Sequence, residues 1–244
     1  MDAQLQNGLV GYWSFDEARG TSTGDFSGNG NTGTLLNGAT WVSGKSGTAL
    51  SFDGADDYVE IPEAQSLNLS STLTVSAWIN NQASTDSSPS QDHYRIIASK
   101  GWAPDNSGSW TLAWRVNDGS LFFFAGRATS YRYVNFPYDN SQAGIWHLVT
   151  AVLDNGNISL YQDGVLQAGP VGIDSSKIRT DTSPILIGSS QVSNNWLRNW
   201  EGSIDEFRLY NRALSADEIA SLYQQDNQSF NFSLANSMCD CSLS

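Results

Sequence analysis

Charged residues and cysteines are scarce in this 244-residue chain. Charged residues make up only 15% of it, and 25 acidic against 12 basic side chains leave a net charge of −13. Because nucleic-acid binding usually depends on a positive electrostatic field, this balance argues against a nucleic-acid partner. Both cysteines, Cys239 and Cys241, lie near the C-terminal end, so no disulfide stabilises the body of the fold.

Long apolar runs are also missing. No run approaches the roughly 20 residues needed to span a bilayer, so we expect no membrane insertion. The start of the chain, DAQLQN, lacks the basic and apolar regions of a signal peptide. Either the protein is not secreted, or the chain is a mature fragment with an added Met, as a domain cut from a longer protein would be; we favour the second interpretation. Residues 1–7 are then an N-terminal linker, residues 8–225 one domain, and residues 226–244 a C-terminal tail or linker.

Short runs of alternating apolar and polar residues, bounded by Gly, Asn and Asp, are abundant. This pattern predicts antiparallel strands packed on one face. The clearest runs are GLVGYWSF (8–15), ALSFDG (49–54), DYVEIP (57–62), LTVSAWIN (73–80), WTLAWRV (110–116), SLFFFAG (120–126), WHLVTAVLD (146–154), NISLYQDG (157–164), SPILIGSS (183–190) and GSIDEFRLYN (202–211).

Turns and one helix complete the local picture. VNDGSL (116–121), LDNGNI (153–158) and YQDGVL (161–166) each place Asp-Gly or Asn-Gly between apolar runs, which predicts three β-hairpins. In ALSADEIASLYQQ (213–225), Ser215 and Glu218 have the spacing of a capping box, so the sequence predicts one short C-terminal helix. Many strands followed by one helix indicate an all-β sandwich with one side covered.

Three sequence blocks are GLVGYWSFDEARGTSTGDFSGNGNTGTL, then ALSFDGADDYVEIP with LTVSAWIN, and finally WHLVTAVLDNGNISLYQDGVL with GSIDEFRLYNRALSADEI. Together these blocks resemble the laminin G-like branch of the concanavalin A-like lectin/glucanase superfamily. They span about residues 8–224 in the family's order. The resemblance implies an antiparallel two-sheet jelly-roll sandwich, usually a module of a secreted or surface protein. Such modules bind glycans or proteins, often hold structural calcium and are often non-catalytic.

The stretch DFSGNGNTG (25–33) is a candidate calcium loop. Asp25, Asn29 and Asn31 offer side-chain oxygens, and the glycines allow backbone carbonyls to converge. The resemblance implies that an aspartate on the last strand completes the site, which here is Asp205. We therefore expect a structural calcium ion held by these four residues. The alternative is a loop that binds no ion, in which Asp25 only caps backbone amides.

Carboxylates in a catalytic arrangement are not visible. Glycosidases of this fold carry Glu-x-Asp-x-x-Glu on one strand, and no such spacing occurs here. We therefore expect a non-catalytic domain.

Aromatic and arginine residues cluster in segments that are less typical of the family. We predict that these segments form one ligand-binding surface, where sugar rings stack on aromatics and arginines meet the acidic groups of an acidic glycan. The alternative is that the arginines pair with local aspartates while the tryptophans cover the sheet. The predicted ligand-binding residues are Trp102, Arg127, Tyr131, Arg132, Tyr133, Trp196, Arg198 and Trp200.

The sequence thus predicts a glycan-binding lectin or carbohydrate-binding module, stabilised by calcium, of a secreted or cell-surface protein. Two alternatives stay open. The first is a protein-binding module for adhesion or surface assembly, because aromatic and arginine enrichment also marks protein interfaces. The second is a polysaccharide-active enzyme whose site follows no pattern that we identified.

Overall fold

The structure, a computed structural model, describes most of the chain. The described residues are 2–82, 94–101, 109–126, 131–138, 144–173, 177–180, 182–190 and 197–240, without the side chains of 197–198 and 229–240.

Two β-sheets pack face to face. Among the described residues, the first sheet contains β1 (Leu9–Trp13), β4 (Thr40–Ser43), β5 (Thr48–Asp53), β7 (Thr72–Asn81), β12 (Trp146–Asp154), β13 (Asn157–Gln162), β14 (Val165–Gly172) and β17 (Glu201–Tyr210). Its spatial order is β14-β13-β12-β7-β17-β5-β4, and β1 pairs with the C-terminal half of β17.

The second sheet contains β2 (Ser22–Thr23), β3 (Gly33–Leu36), β6 (Tyr58–Ile61), β8 (Tyr94–Lys100), β9 (Trp110–Arg115), β10 (Ser120–Gly126), β11 (Tyr131–Pro137), β15 (Ile185–Ile187) and β16 (Leu197–Asn199). Its order is β11-β10-β9-β8-β15-β6-β3-β2. The pairs are antiparallel except that β16 joins β8 in parallel. The predicted two-sheet sandwich, its main strands and the three hairpins joining β9–β10, β12–β13 and β13–β14 are all confirmed.

The core lies between the two sheets and follows the two-residue period of the strands. In β10, Leu121, Phe123 and Ala125 face inward, whereas Phe122 and Phe124 belong to a separate cluster on the outer face. The core side chains come from both sheets, among them Trp13, Leu50, Phe52, Val75, Ile79, Leu112, Trp114, Val149, Leu160, Ile187, Phe207 and Leu209.

Helices cover the outer face of the first sheet. In the part of the chain that the structure describes they are α1 (Ala3–Gln6) and α2 (Ala216–Asp240), and a 3-10 turn (Gln65–Leu67) lies elsewhere. Leu5 of α1 is 1% exposed and packs with Trp78, Leu148 and Leu222. The predicted N-terminal linker therefore needs correction, because this apolar contact makes the first residues part of the folded domain.

An ionic cluster fixes α2 to the sheet. Arg208 of β17 donates two hydrogen bonds of 3.0 Å to the carboxylate of Asp226 and also pairs with Glu206. Trp78 Nε1 donates to Asp226 Oδ2 at 2.7 Å. All three charged residues are at least nine-tenths buried. The predicted domain end at residue 225 therefore falls inside α2, and the residue that follows it, Asp226, is anchored to the sheet.

The capping box at the start of α2 is confirmed. Glu218 Oε2 accepts the Ser215 backbone N–H at 2.8 Å, and the Glu218 N–H donates to Ser215 Oγ at 3.3 Å. Arg212 also donates to Glu218 at 2.8 Å, while its other nitrogens bond the backbone carbonyls of Gln4 and Asn7. The same pair thus caps α2 and holds the N-terminal segment.

The replacement Glu218→Gln should make the domain less sensitive to acid. The hydrogen bond from Arg212 lowers the pKa of Glu218 to about 2. Because this pKa is lower in the folded state, the ionised Glu218 stabilises the fold fully at pH values above its ordinary pKa near 4.5. This stabilisation disappears as the pH falls to 2. We expect the variant to lose about 1–2 kcal/mol at neutral pH and to match the wild type near pH 2. Urea unfolding across this pH range measures both, and parallel curves would contradict the assignment.

Candidate functional site

Aromatic side chains form a cluster on the outer face of the second sheet. Phe122 and Phe124, both 2% exposed, stack on each other with ring centroids 5.4 Å apart. Tyr94 of β8 contacts both rings edge-on at 5.5 Å. The three consecutive phenylalanines of SLFFFAG explain the arrangement, because alternation sends Phe123 into the core and its two neighbours to the other face.

Two tyrosines of the edge strand β11 lie on this cluster. Tyr131 contacts Phe124 at 6.0 Å, and Tyr133 contacts Phe122 at 5.4 Å. The two tyrosine rings are 6.5 Å apart and 30° from parallel. Tyr131 is 38% exposed and Tyr133 is 47% exposed, although large aromatic side chains are usually well buried. We call Tyr131, Tyr133 and the two phenylalanines beneath them the tyrosine surface.

The charges beside the tyrosine surface are paired. The guanidinium of Arg115 lies over the Phe122 ring at 4.7 Å. It donates from Nε to Asp118 Oδ1 at 3.0 Å and forms a second, shorter bond to the same carboxylate. The hydrogen bonds from Arg115 lower the pKa of Asp118, so this acid stays ionised beside its partner. The pair contributes no net charge to the surface.

The predicted ligand-binding residues have different outcomes. The structure brings the side chains of Tyr131 and Tyr133 together. Arg132 comes between them in the chain, and alternation along β11 directs it to the other side of the strand. Trp200 is fully buried in the core, so assigning it to a binding surface was wrong. Trp200 directly precedes β17, and the apolar residues of β17 pack in the same core. Outside the described residues lie Trp102, Arg127, Trp196 and the side chain of Arg198.

Asp25 uses both carboxylate oxygens within its own loop. Its Oδ1 accepts two backbone N–H groups at 3.0 and 2.8 Å, and its Oδ2 accepts the backbone N–H and side-chain amide of Asn31, both at 3.0 Å. The amides of Asn29 and Asn31 also donate to the Val10 carbonyl oxygen. Four donors leave this carboxylate little capacity to bind a cation. The geometry of the loop therefore fits the alternative in which Asp25 caps backbone amides better than it fits a calcium site.

Asp205 lies in a different hydrogen-bonded group from Asp25. Its Oδ2 accepts the Ser46 N–H at 3.0 Å, and its Oδ1 accepts the Glu206 N–H at 2.8 Å. Asp205 is fully buried. Its pKa is raised to about 8, mainly by burial and to a lesser extent by the negative charge of Glu206. In the described part of the chain it forms no ion pair. This carboxylate therefore retains the capacity for a cation that Asp25 lacks.

A third acidic group was not singled out from the sequence. Side-chain oxygens of Asp53, Asp56 and Asp57 lie within 4.8 Å of one another, in the block ALSFDGADDYVEIP. Asp57 Oδ2 already accepts the Asp53 backbone N–H at 3.0 Å, which explains the closeness as turn structure.

The fold defines a jelly-roll β-sandwich domain that carries an exposed aromatic surface. The sequence specifies the family: the laminin G-type model of the concanavalin A-like lectin/glucanases superfamily matches residues 53–220. The chain belongs to this superfamily, as its sequence blocks predicted. No curated protein gives a match to the chain.

Solved structures share the fold at low identity. The binding domain of Paraclostridial Mosquitocidal Protein 1 aligns with a TM-score of 0.73 and 19% identity, over 90% of this chain and 52% of the other. The botulinum neurotoxin serotype D binding domain aligns with a TM-score of 0.67 and 18% identity, over 90% and 52%. This chain thus spans about half of each of those chains.

A third similar structure has nearly the same extent as this chain. Domain 4 of AbnA, an extracellular GH43 arabinanase from Geobacillus stearothermophilus, was solved in complex with arabinotriose. It aligns with a TM-score of 0.64 and 20% identity, over 88% of this chain and 98% of the other. At such identities the likeness shows the fold alone. None of the described helices is long and apolar enough to cross a membrane.

Proposed function

We propose that this domain is a non-catalytic glycan-binding module of a secreted or cell-surface protein, and that the glycan stacks on Tyr131 and Tyr133. The exposed tyrosine pair, seated on two buried phenylalanines, is the observation that carries the proposal. Sugar rings present C–H groups on their faces, which pack against aromatic rings, while their hydroxyls need polar partners such as tyrosine O–H groups.

The support beneath the tyrosines favours binding. Each tyrosine rests against a phenylalanine that is itself packed in the cluster, so little side-chain freedom is left to lose when a ligand arrives. The arabinotriose complex of AbnA domain 4 supports the proposal by analogy of fold. The acid beside the surface, Asp118, is held by Arg115, which suits a structural role better than proton transfer.

Protein binding is the rival function, because tyrosines are enriched in protein interfaces as well. The binding domains of the mosquitocidal protein and of the serotype D neurotoxin share this fold, and so does the receptor binding domain of the botulinum neurotoxin C/D mosaic serotype. The two functions differ in which exposed side chains the ligand must cover. A glycan needs the ring faces of the tyrosines, whereas a protein interface would also bury the apolar residues exposed on other strands.

Replacing Tyr133 by alanine should weaken glycan binding by about tenfold, or about 1.4 kcal/mol, because it removes the more exposed stacking face. Tyr133→Phe keeps the ring and removes only the O–H group, so it should weaken binding less than Tyr133→Ala does. Affinity electrophoresis against a panel of plant and microbial polysaccharides measures these differences, followed by calorimetry with the best ligand.

Phe26→Ala is the matched control, because Phe26 is 61% exposed but belongs to the loop beside β1 of the other sheet. It should not change glycan binding. The proposal fails if no polysaccharide binds, or if Tyr133→Ala binds as tightly as Phe26→Ala.

A structural calcium ion remains a second proposal, and Asp205 is the residue that supports it best. A buried carboxylate without a cationic partner is either protonated or neutralised by an ion. Asp205 forms no ion pair among the described residues, although the charge of Lys45 acts on it, and each of its oxygens accepts only one backbone N–H. Such an ion would tie the last strand to the backbone near Ser46, and Asp25 would not share it.

Calcium should raise the thermal unfolding midpoint of the wild type above its value in EDTA. At a calcium concentration 100 times the dissociation constant, binding adds about 2.7 kcal/mol, or about 5–10 °C for a domain of this size. Asp205→Asn should abolish the rise, whereas Asp25→Asn should lower the midpoint and keep it. If the wild type unfolds at the same temperature in calcium and in EDTA, the calcium proposal is wrong.

A further inference from the structure

We infer that the glycan is a neutral, linear polysaccharide lying along β11, with one sugar ring on Tyr131 and the next on Tyr133. This inference rests on the proposed glycan-binding function and specifies the class of ligand. Two features of the tyrosine surface carry it: the spacing of the exposed rings, and the pairing with Asp118 of Arg115, whose guanidinium borders Phe122.

The spacing sets the direction of the ligand. Residues two apart on a strand share a face and lie about 6.7 Å apart. The ring centroids of Tyr131 and Tyr133 are 6.5 Å apart, so both side chains stand beside each other rather than turning away. Their planes differ by 30°, and both keep an exposed part. A ligand that uses both rings must therefore present two successive ring faces along the strand.

The position of β11 leaves room for a chain. It is the last strand of its sheet and pairs only with β10 among the described strands. A linear polymer can therefore extend past both tyrosines without crossing the rest of the sheet. A single terminal sugar would use only one ring and forgo the second contact.

Charge indicates a neutral ligand. The guanidinium of Arg115, which borders Phe122, is engaged by Asp118. The other two arginines named for this sheet do not border the rings: alternation directs Arg132 to the other side of β11, and Arg95 of β8 pairs with Glu201 at 2.5 Å. An anionic group on the tyrosine surface would have to displace Asp118 from Arg115, and it would also approach a protein of net charge −13. The structure therefore disfavours the acidic glycan that the sequence suggested.

The test compares neutral polymers with acidic ones, and oligosaccharides with the monosaccharide. Dextran and dextran sulfate share one backbone, and neutral arabinan or galactan is compared with polygalacturonate, each at low and high NaCl. We expect the neutral polymers to bind with an affinity that salt does not change, and the acidic ones to bind at least about tenfold more weakly. We also expect oligosaccharides of two or more sugars to bind about fivefold more tightly than the monosaccharide.

The single variants test the two-ring arrangement. Tyr131→Ala and Tyr133→Ala should each abolish the gain with chain length, whereas Phe26→Ala should retain it. If glycans bind but the acidic polymers are preferred and salt weakens them, the neutral-ligand inference is overturned while the proposed function stands. If a monosaccharide binds as tightly as its oligomers, the arrangement along β11 is overturned. If no polymer of either charge binds, the proposed function fails and this inference with it.

Discussion

Arg208→Met is expected to destabilise the domain by about 3–5 kcal/mol. Arg208 is the partner of both Glu206 and Asp226, and all three side chains are buried between β17 and α2. Removing the guanidinium leaves Glu206 without its ion-pair partner and leaves Asp226 with only the charge of Lys45 nearby. Methionine keeps the length and much of the apolar contact of the side chain, so the loss reports mainly on charge. Equilibrium unfolding in urea measures it.

An exposed arginine provides the control for this change. Arg19→Met removes the same charge from the surface and should change the stability by less than about 0.5 kcal/mol. A polar cavity of about 280 Å³ lies beside the cluster and is lined by Glu206, Arg208 and Asp226. Water in this cavity would solvate the carboxylates that Arg208→Met leaves unpaired, so the destabilisation would lie toward the lower end of the expected range. If Arg208→Met costs no more than Arg19→Met, the cluster does not stabilise the fold.

Ending the chain after Gln225 should destabilise the domain by about 2–4 kcal/mol. The truncation removes Asp226, so Arg208 loses one of its two acids and the Trp78 N–H loses its acceptor. It also removes Asn227, which accepts a hydrogen bond from Lys45 at 2.6 Å. Thermal and urea unfolding of the shortened chain measure the effect.

A slightly longer truncation is the matched comparison. A chain that ends after Gln228 keeps Asp226 and Asn227 and loses only residues 229–244. We expect its stability to lie within about 1 kcal/mol of the full chain. Equal stability of the two truncated chains would mean that the contacts of Asp226 contribute little, and that a domain end at residue 225 is adequate.

The sequence predicted those parts of the fold that depend on local patterns. Alternation located the main strands, Asp-Gly and Asn-Gly located the hairpins, and the Ser215–Glu218 spacing located the start of α2. The end of α2 was not predicted, because the residues after 225 are mostly polar. What anchors Asp226 is Arg208, a residue 18 positions earlier in the chain, and no local pattern shows that contact.

Prediction of the binding surface was partial for a related reason. Tyr131 and Tyr133 have an alternating pattern that indicates one shared face, and the structure places them together. Trp200 has no such pattern, and its burial depends on packing between the sheets. The phenylalanines beneath the tyrosines were missed although three in a row signal a strand that is apolar on both faces. The Asn-Gly loop around Asp25 was ambiguous, because capping and metal binding require the same side chains.

Backbone chemical-shift mapping during titration with a neutral oligosaccharide tests the binding surface most directly. The amide resonances of β11 and of the neighbouring β10, from residue 120 to 126 and from residue 131 to 137, should shift in a saturable manner, while those around Phe26 should stay unchanged. Saturable shifts confined to other strands would contradict the tyrosine surface as the binding site. An absence of shifts with every neutral and acidic oligosaccharide would contradict glycan binding itself.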